Sequence, residues 1–402
     1  MGKREGPWLY DIDGKKKVYN LHSNGGVFNL GHRNKQIIDT LKEALDSVDI
    51  GNHHLISKGR AQLAEKLSLS MGKDPRFTVF GVGGGEAIDL AIKTARAYTG
   101  RDEIISILGG YHGHTGFALA AGDKQYKEPF GSMAPGFKQI PLGDINAVKS
   151  AITNKTAAFI IETIPATLGM PIPDQNYLKE IEAICMQSNT MLIMDEVQTG
   201  LGRTGKVWGY QHYDINPDIV VIGKGLSGGI YPISATVMKK ELEKVFKKDP
   251  FIHISTYGGS ELGCITASKV LEISSDPQFL EHVNLMSKEI RDGLEQLIKK
   301  YSKYFIKVRQ LGLMIGLEFS TEFFGPVITK TAFSNDLLLV YANNDTRIVQ
   351  FLPPLIMEKS DIPFIMSSLE KAIKQAIKLE PLLRKGYNAK KSLKGLLGKG
   401  KD

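Results

Sequence analysis

The sequence predicts an α/β protein, with a large domain on a mostly parallel central sheet covered by helices and a smaller α+β domain drawn from both chain ends. Three observations predict it. The apolar runs Ala157–Ile161, Met191–Met194 and Ile219–Ile222 have strand length and no polar alternation, which marks strands covered on both faces. Amphipathic segments, apolar at three- and four-residue spacing, stand between such runs, as in repeated strand–helix units. Past Gly263 the texture changes to long helices and an alternating hairpin.

Taken in order, Asn34–Ser47 and Gly59–Leu69 carry helical apolar spacing. Arg76–Phe80 is a short β-rich run, Gly81–Gly85 a turn and Glu86–Tyr98 a helix with Ala87, Leu90, Ala91, Thr94 and Ala95 inward. Strand Ile104–Leu108, the turn Gly109-Gly110 and strand Ala157–Ile161 follow, then helix Asn176–Ser188 and strands Met191–Met194 and Ile219–Ile222. Beyond Gly263, Ile265–Ile273 and Pro277–Tyr301 read as helices and Phe305–Phe319 as a hairpin with Gly312 and Gly316 near its bends. Strand Ile348–Leu352, Pro353-Pro354 and a helix from Asp361 to about Leu379 close the fold. The expected division is 1–48 as an N-terminal part of the small domain, 49–263 as the large domain, 264–301 as connecting helices, 302–380 as the C-terminal small domain and 381–402 as a basic, flexible tail.

At 402 residues the chain is too long for one small core. Its apolar runs are too short to cross a bilayer, and the basic start Met-Gly-Lys-Arg has no apolar stretch behind it to make a secretory signal. Cys185 and Cys264 are too few for a disulfide framework and lack metal-ligand spacing, so a reduced, cytoplasmic protein is expected. The net charge of +8 points towards nucleic acid until its distribution is read. Seven Lys/Arg and one acid between Arg384 and Asp402 account for +6. A tail of that kind is a solubilising end, and no recognition motif accompanies it, so neither nucleic acid nor membrane is expected as a partner.

The chemistry gathers after the strands, where open α/β sheets bind ligands. Met191–Met194 runs into Asp195-Glu196, placing at least one carboxylate at the sheet's edge; alone, such an acid reads equally as a helix cap or a magnesium ligand. Ile219–Ile222 runs into Gly223-Lys224-Gly225, and Lys224 lies 29 residues after Asp195. A lysine there is ordinarily a surface residue. Flanked by these glycines and followed by Gly228-Gly229, it stands on backbone cleared of bulk. Pyridoxal phosphate needs both groups, an amine to form its Schiff base and an aspartate to keep its ring nitrogen protonated.

The turn Gly81-Val-Gly83-Gly84-Gly85-Glu86 offers bare amides at a helix N-terminus, an anion site that suits a phosphate. A dinucleotide fingerprint needs glycine where Glu86 stands and an acid where Leu108-Gly109-Gly110 stands, which argues against a Rossmann dehydrogenase. Tyr111, among glycines directly after a strand, is an exposed ring able to stack on a planar cofactor. The pairs His112/His114 and His53/His54 have no carboxylate or cysteine at ligand spacing, and no metal is expected.

With these residues in view the chain resembles the class III aminotransferases, a branch of the fold-type-I pyridoxal-phosphate enzymes, from about Leu9 to Leu379. The most specific stretch is Leu192-Ile-Met-Asp195-Glu-Val-Gln198-Thr-Gly-Leu-Gly-Arg-Thr-Gly205, followed by Pro217-Asp-Ile and Gly223-Lys-Gly225. The resemblance implies transfer of an amino group from an amino acid or amine to a 2-oxo acid by a ping-pong Schiff-base mechanism. It implies Lys224 and Asp195 as catalytic residues, Val197 and Tyr111 on the two ring faces, Gln198 at the phenolic oxygen and His112 beside the cofactor. Gly84 and Gly85 would hold the phosphate, Gly85 standing where relatives usually carry a hydroxyl or small residue. It also implies a homodimer with shared active sites, Thr256 of one subunit reaching the other's phosphate. Racemases or epimerases, decarboxylases, mutases and lyases on the same scaffold need the same Lys224, Asp195 and phosphate turn.

Substrate recognition departs from the pattern. Gln350-Phe-Leu-Pro-Pro354 stands where many relatives carry an arginine that grips the substrate carboxylate in a two-pronged contact. Arg347, three residues earlier, points to the other face of a regular strand. Glu162-Thr-Ile-Pro-Ala-Thr167 has Thr167 where relatives that handle ω-amino groups place a second glutamate. Gly25-Gly26 leaves the entrance without bulk, and Gly259-Ser-Glu261 adds an acid where Asn-Pro is usual. Gly25, Glu162 and Gln350 are the expected substrate-binding residues. Glutamate with 2-oxoglutarate is a less secure pair than for relatives; pyruvate with alanine, an amine, and carboxylate capture by another residue stay open.

Overall fold

The computed structural model describes residues 1–52 and 54–397. Its centre is a seven-stranded sheet in the order Arg76–Gly81, Ser234–Lys239, Ile219–Ile222, Met191–Asp195, Thr156–Glu162, Glu103–Ile107, Phe137–Ile140. Ser234–Lys239 pairs antiparallel with both its neighbours, and every other pairing is parallel. The other six strands therefore end on one edge.

The continuous apolar strands are covered on both faces, as their composition requires. Ile105, Phe159, Ile161, Leu192, Met194, Val220 and Ile222 join one core, with Leu178 and Ile181 of helix Tyr177–Ser188. Their neighbours Ile104, Ala158, Ile160, Ile193, Ile219 and Val221 join another, under Ala87, Ile88, Ala91, Ile92 and Ala95 of helix Gly84–Thr99. Two strands of this sheet went unread in the sequence, Phe137–Ile140 and Ser234–Lys239. The first is a half-exposed edge strand, and the second opens on the small residues Ser234 and Ala235.

The smaller unit draws on both ends of the chain. Lys17–Asn20 lies beside Leu337–Leu338 in one four-stranded sheet. Phe305–Leu311, Met314–Phe319, Ile348–Phe351 and Val340–Tyr341 make another. Tyr19 and Leu21 share a core with Ile290 and Leu294 of helix Pro277–Lys300 and with Ile365, Leu369 and Ile373 of the last helix.

Among the departures from the sequence reading, three bear on packing and on the site. Gly84 and Gly85 form the first turn of their helix; Gly83 is its extended cap, and Glu86 accepts the Val82 N–H at 2.7 Å. Gly312 does make the hairpin bend, with φ +58°, but Gly316 sits within a strand between Arg309 and Gln350. A Cβ there would lie 3.2 Å from Ile348 Cγ2 and 3.3 Å from Met170 Cβ, so close packing keeps it a glycine. The last helix runs from Ile362 to Leu397, past Leu379 and Pro381. Glu380, bonded to Thr321 Oγ1 at 3.2 Å and paired with Arg384, spans the proline. Of the basic tail, 398–402 lie outside the described residues.

Candidate active site

Five loops leave the shared strand edge and enclose a cavity of about 170 Å³, lined by residues that include Gly84, Gly85, Tyr111, His112, Glu162, Asp195, Val197, Gln198 and Lys224. Strand register sets the acids: Glu162 lies opposite Asp195, and Asp195 opposite Val221. Asp195 is 4% exposed; its Oδ1 accepts the Val197 N–H at 3.0 Å and its Oδ2 faces His112 Nδ1 at 2.8 Å. Glu196 turns the other way. Thr163 Oγ1 and the N–H groups of Gly209 and Tyr210 bond its carboxylate, so of the two acids only Asp195 serves the cavity.

Lys224 follows its strand in a left-handed conformation, φ +40°, a strained state for a residue with a Cβ. Its Nζ donates to Gln198 Oε1 at 3.1 Å. Burial pulls its pKa down from the ordinary lysine value, against the opposing charges of Asp195 and Glu162. Burial also pushes Glu162 up to about 7, opposed by His112 and assisted by the charge of Asp195. For His112 burial works downward, yet the hydrogen bond to Asp195 and the charges of Asp195 and Glu162 outweigh it and hold the imidazole above its ordinary range. Its Nε2 is buried without a protein partner.

The phosphate turn is open where a group must fit. Helix Gly84–Thr99 has no side-chain cap, which leaves first-turn amides available. A Cβ on Gly84 would stand 3.3 Å from Val197 Cγ1, and one on Gly85 would stand 2.7 Å from Thr115 Oγ1. Tyr111 is 36% exposed and anchored through its N–H to Glu162 Oε1 at 2.9 Å.

The remaining expected residues divide. Gly25 comes to Lys224: a Cβ there would lie 3.5 Å from Nζ. Gln350 is buried on its strand and is not among the residues lining the cavity; near it lies His22, a residue that sequence reasoning missed. The signal was the run Asn24-Gly25-Gly26, residue types that tolerate positive φ, all of which adopt it together with Ser23. Thr256 is exposed and, within one chain, does not line the cavity. Thr167 lines it with its hydroxyl given to Gly109 O at 2.8 Å. Arg347 faces away, forked onto Asp345 at 3.0 and 2.8 Å. Of the other histidines, His114 packs against Tyr111 and His54 against Phe251, while His53 lies outside the described residues. Among the described residues no three His, Cys, Asp or Glu side chains group as a metal site, and no helix is long and apolar enough to cross a membrane.

A buried amine, a buried carboxylate lining the same cavity and uncapped amides cleared of side chains suit a single ligand, pyridoxal phosphate. The site and the parallel sheet together define the class, a pyridoxal-phosphate enzyme. Comparison with known proteins narrows it. The family model described as aminotransferase class-III matches residues 1–373. An uncharacterized aminotransferase of Archaeoglobus fulgidus is 53% identical over 93% of this chain and 88% of its own length. The acetylornithine aminotransferase of Methanocaldococcus jannaschii is 39% identical over 91% of each chain. Among solved structures, an aminotransferase from Bacillus anthracis superposes with a TM-score of 0.86 at 27% identity, covering 93% of this chain and 92% of that one. The chain belongs to the class III aminotransferases and is a pyridoxal-phosphate-dependent transaminase.

Proposed function

We propose that this transaminase works through Lys224 as both the anchor of the cofactor and the carrier of the substrate proton, in a ping-pong cycle from an amino acid or amine to a 2-oxo acid. One observation carries the reading: Lys224 Nζ and the Asp195 carboxylate share a single cavity at the edge of one sheet. Bound there, pyridoxal phosphate supplies a carbonyl that condenses with amines and a protonated ring that accepts the electron pair left on the substrate carbon.

The chain's own residues supply the rest. Its lowered pKa gives Lys224 more free amine at neutral pH than an exposed lysine has, suiting it to attack a carbonyl and, once released, to take and return a proton. Gln198, already bonded to Nζ, would hold that amine and the phenolic oxygen near one another. Asp195 holds a proton on the ring nitrogen, and His112 and the Val197 N–H fix its two oxygens. Val197 and Tyr111 would flank the ring, and the amides of Gly84 and Gly85 would hold the phosphate. Glu162 fixes Tyr111 from behind.

The working unit we infer is a cytoplasmic homodimer. Supporting it, Ile50, Leu55, Ile56, Phe251, Ile254 and Tyr257 expose apolar surface on two segments that Arg60 ties together through Asn52 O, Leu55 O and Gly259 O. Thr256 lies on the second of these and would serve a partner's phosphate. Cys185 and Cys264 are unpaired and buried, as suits a reduced compartment. Residues 49–263 then act as the cofactor domain, and 1–48 with 302–380 as the substrate-side domain.

The test is a half-reaction. Amino acids and amines are added singly to the purified holoenzyme without an acceptor, and absorbance follows the cofactor from its carbonyl to its amino form. Full conversion with an equivalent of oxo product is expected. Racemised or decarboxylated product with no conversion would overturn transamination as the outcome.

A further inference from the structure

Tyr111 lines the cavity from a stretch, 110–113, that is neither helix nor strand. Its place therefore depends on what holds the chain at either side. Its own N–H bonds Glu162 Oε1. Two residues earlier stands Gly109, buried and left-handed at φ +81°, where a Cβ would lie 2.5 Å from Leu168 Cδ1. Both backbone groups of Gly109 are held by side chains of other segments. Its N–H donates to Asp123 Oδ1 at 2.8 Å. Its carbonyl accepts Thr167 Oγ1 at 2.8 Å and Asn344 Nδ2 at 3.0 Å.

Asn344 belongs to the smaller unit. It lies in the loop 342–347, between strands Val340–Tyr341 and Ile348–Phe351, and is 235 residues from Gly109. The same Nδ2 donates to Asp123 Oδ2 at 2.8 Å, so one amide joins the Gly109 carbonyl to the carboxylate that already holds the Gly109 N–H. Its Oδ1 accepts Gln125 Nε2 at 2.8 Å, and its backbone N–H donates to Thr167 O at 3.0 Å. Both amide hydrogens and the amide oxygen are thereby committed across the seam between the two units. A neighbour in the same loop behaves differently: Arg347 forks onto Asp345 and stays within the loop. Bonds to a carboxylate are stronger than neutral ones, and a side chain shared by several loops fixes their spacing. A shift of about 1 Å in a reacting group costs about a hundredfold in rate, so what spaces the Tyr111 loop bears on turnover.

We propose that Asn344 is a positioning residue of the transaminase: through Gly109 and Asp123 it sets where the Tyr111 ring stands in the cavity, and so couples the seating of the smaller unit to the cofactor. The proposal rests on Tyr111 flanking the cofactor ring. Its test compares variants with and without cofactor. In the cofactor-free protein, Asn344→Ala should speed hydrogen exchange in the peptide spanning Gly109–Gly113 by about ten- to a hundredfold, the equivalent of a lost bond to a charged group. A peptide from strand Met191–Asp195 should exchange as in wild type. In the holoenzyme the same variant should change the visible circular dichroism of the bound cofactor. Its single-turnover conversion should slow about ten- to a hundredfold, with the half-saturating substrate concentration little moved. Asn344→Asp sets a second carboxylate against Asp123 and should do the same. Adding Asp123→Asn to it restores a donor facing an acceptor and keeps an oxygen for the Gly109 N–H, so part of the exchange protection and of the rate should return. Arg347→Ala opens only the Asp345 fork and should match wild type in all three readouts. Faster loop exchange with unchanged dichroism and rate would mean that Asn344 only steadies the loop, and overturns the proposal; so does an Asn344→Ala protein equal to wild type, or equal to Arg347→Ala, throughout. If Asn344→Ala does not fold, Asn344→Asp and its pairing with Asp123→Asn decide on the same terms. Tyr111→Ala separates the two readings. If its dichroism and rate equal those of wild type, Tyr111 does not flank the ring and both fall; if they differ while those of Asn344→Ala do not, only the positioning role fails.

Discussion

Asp195 and Glu196 are adjacent in sequence and occupy opposite environments, a distinction that only the fold supplies. The apolar run before them put an acid at the sheet edge. Which one faced the ligand depended on the partners of Glu196 at Thr163, Gly209 and Tyr210, two of them in a loop more than ten residues downstream. Lys224 was easier to read because its flanking glycines advertise cleared space. Two experiments belong at this scale. Borohydride treatment followed by peptide mass analysis should find the cofactor's mass on the Lys224 peptide of the wild type and nowhere in Lys224→Ala. Turnover of that variant should fall by about 10⁴-fold, the upper range for losing a positioned base. His112→Phe leaves one Asp195 oxygen without its 2.8 Å partner. It should slow turnover about ten- to a hundredfold, the equivalent of a hydrogen bond to a charged group. His112→Asn, which keeps an N–H, should recover part of that rate and of the cofactor's absorbance profile against pH. Equal loss in both variants would mean that the imidazole only fills space.

At the scale of elements, strongly periodic segments were legible and punctuation by glycine was not always so. The strand Ile219–Ile222 and the start of helix Pro277–Lys300 match the sequence reading, because an apolar run between turns and a proline after the Asp276 cap are unambiguous signals. Gly316 misled because a strand glycine required by neighbouring side chains looks, in sequence, like a bend. Gly312 is a true bend, and it ties the two units together. Leu313 N–H donates to Arg203 O at 2.9 Å, and a Cβ on Gly312 would stand 2.3 Å from the carbonyl carbon of Thr204. Gly312→Ala should therefore destabilise the protein by about 1–3 kcal/mol from its left-handed φ alone, with the backbone clash in addition. Denaturant unfolding would show it, and a variant as stable as wild type would mean the hairpin tip can lift away from Arg203 freely.

At the scale of the whole molecule, the sheet class and the cofactor edge were visible because strand composition and loop chemistry are local. The approach of the N-terminal segment to Lys224 was not, because it brings residue 25 to residue 224 through a turn of unusual hand. The same long-range assembly gives the protein two opposed pH responses. Glu162, at about 7 in the fold against an ordinary 4.5, is stabilising as the neutral acid. That contribution is complete below pH 4.5 and is lost as pH rises through 7. His22, at about 4 against 6.5, is stabilising as the neutral base; its contribution is complete above pH 6.5 and is lost as pH falls through 4. Between pH 4.5 and 6.5 the two oppose one another and flatten the wild-type profile. Each single replacement should unmask the other. Cofactor-free Glu162→Gln should gain stability relative to wild type as pH climbs from 4.5 to 7, by no more than about 1.4 kcal/mol per pH unit. His22→Asn should gain relative to wild type as pH drops from 6.5 to 4. Thermal unfolding of the three proteins across that range decides the matter, since differences that do not vary with pH would place the titrations of these two buried groups outside the folding equilibrium.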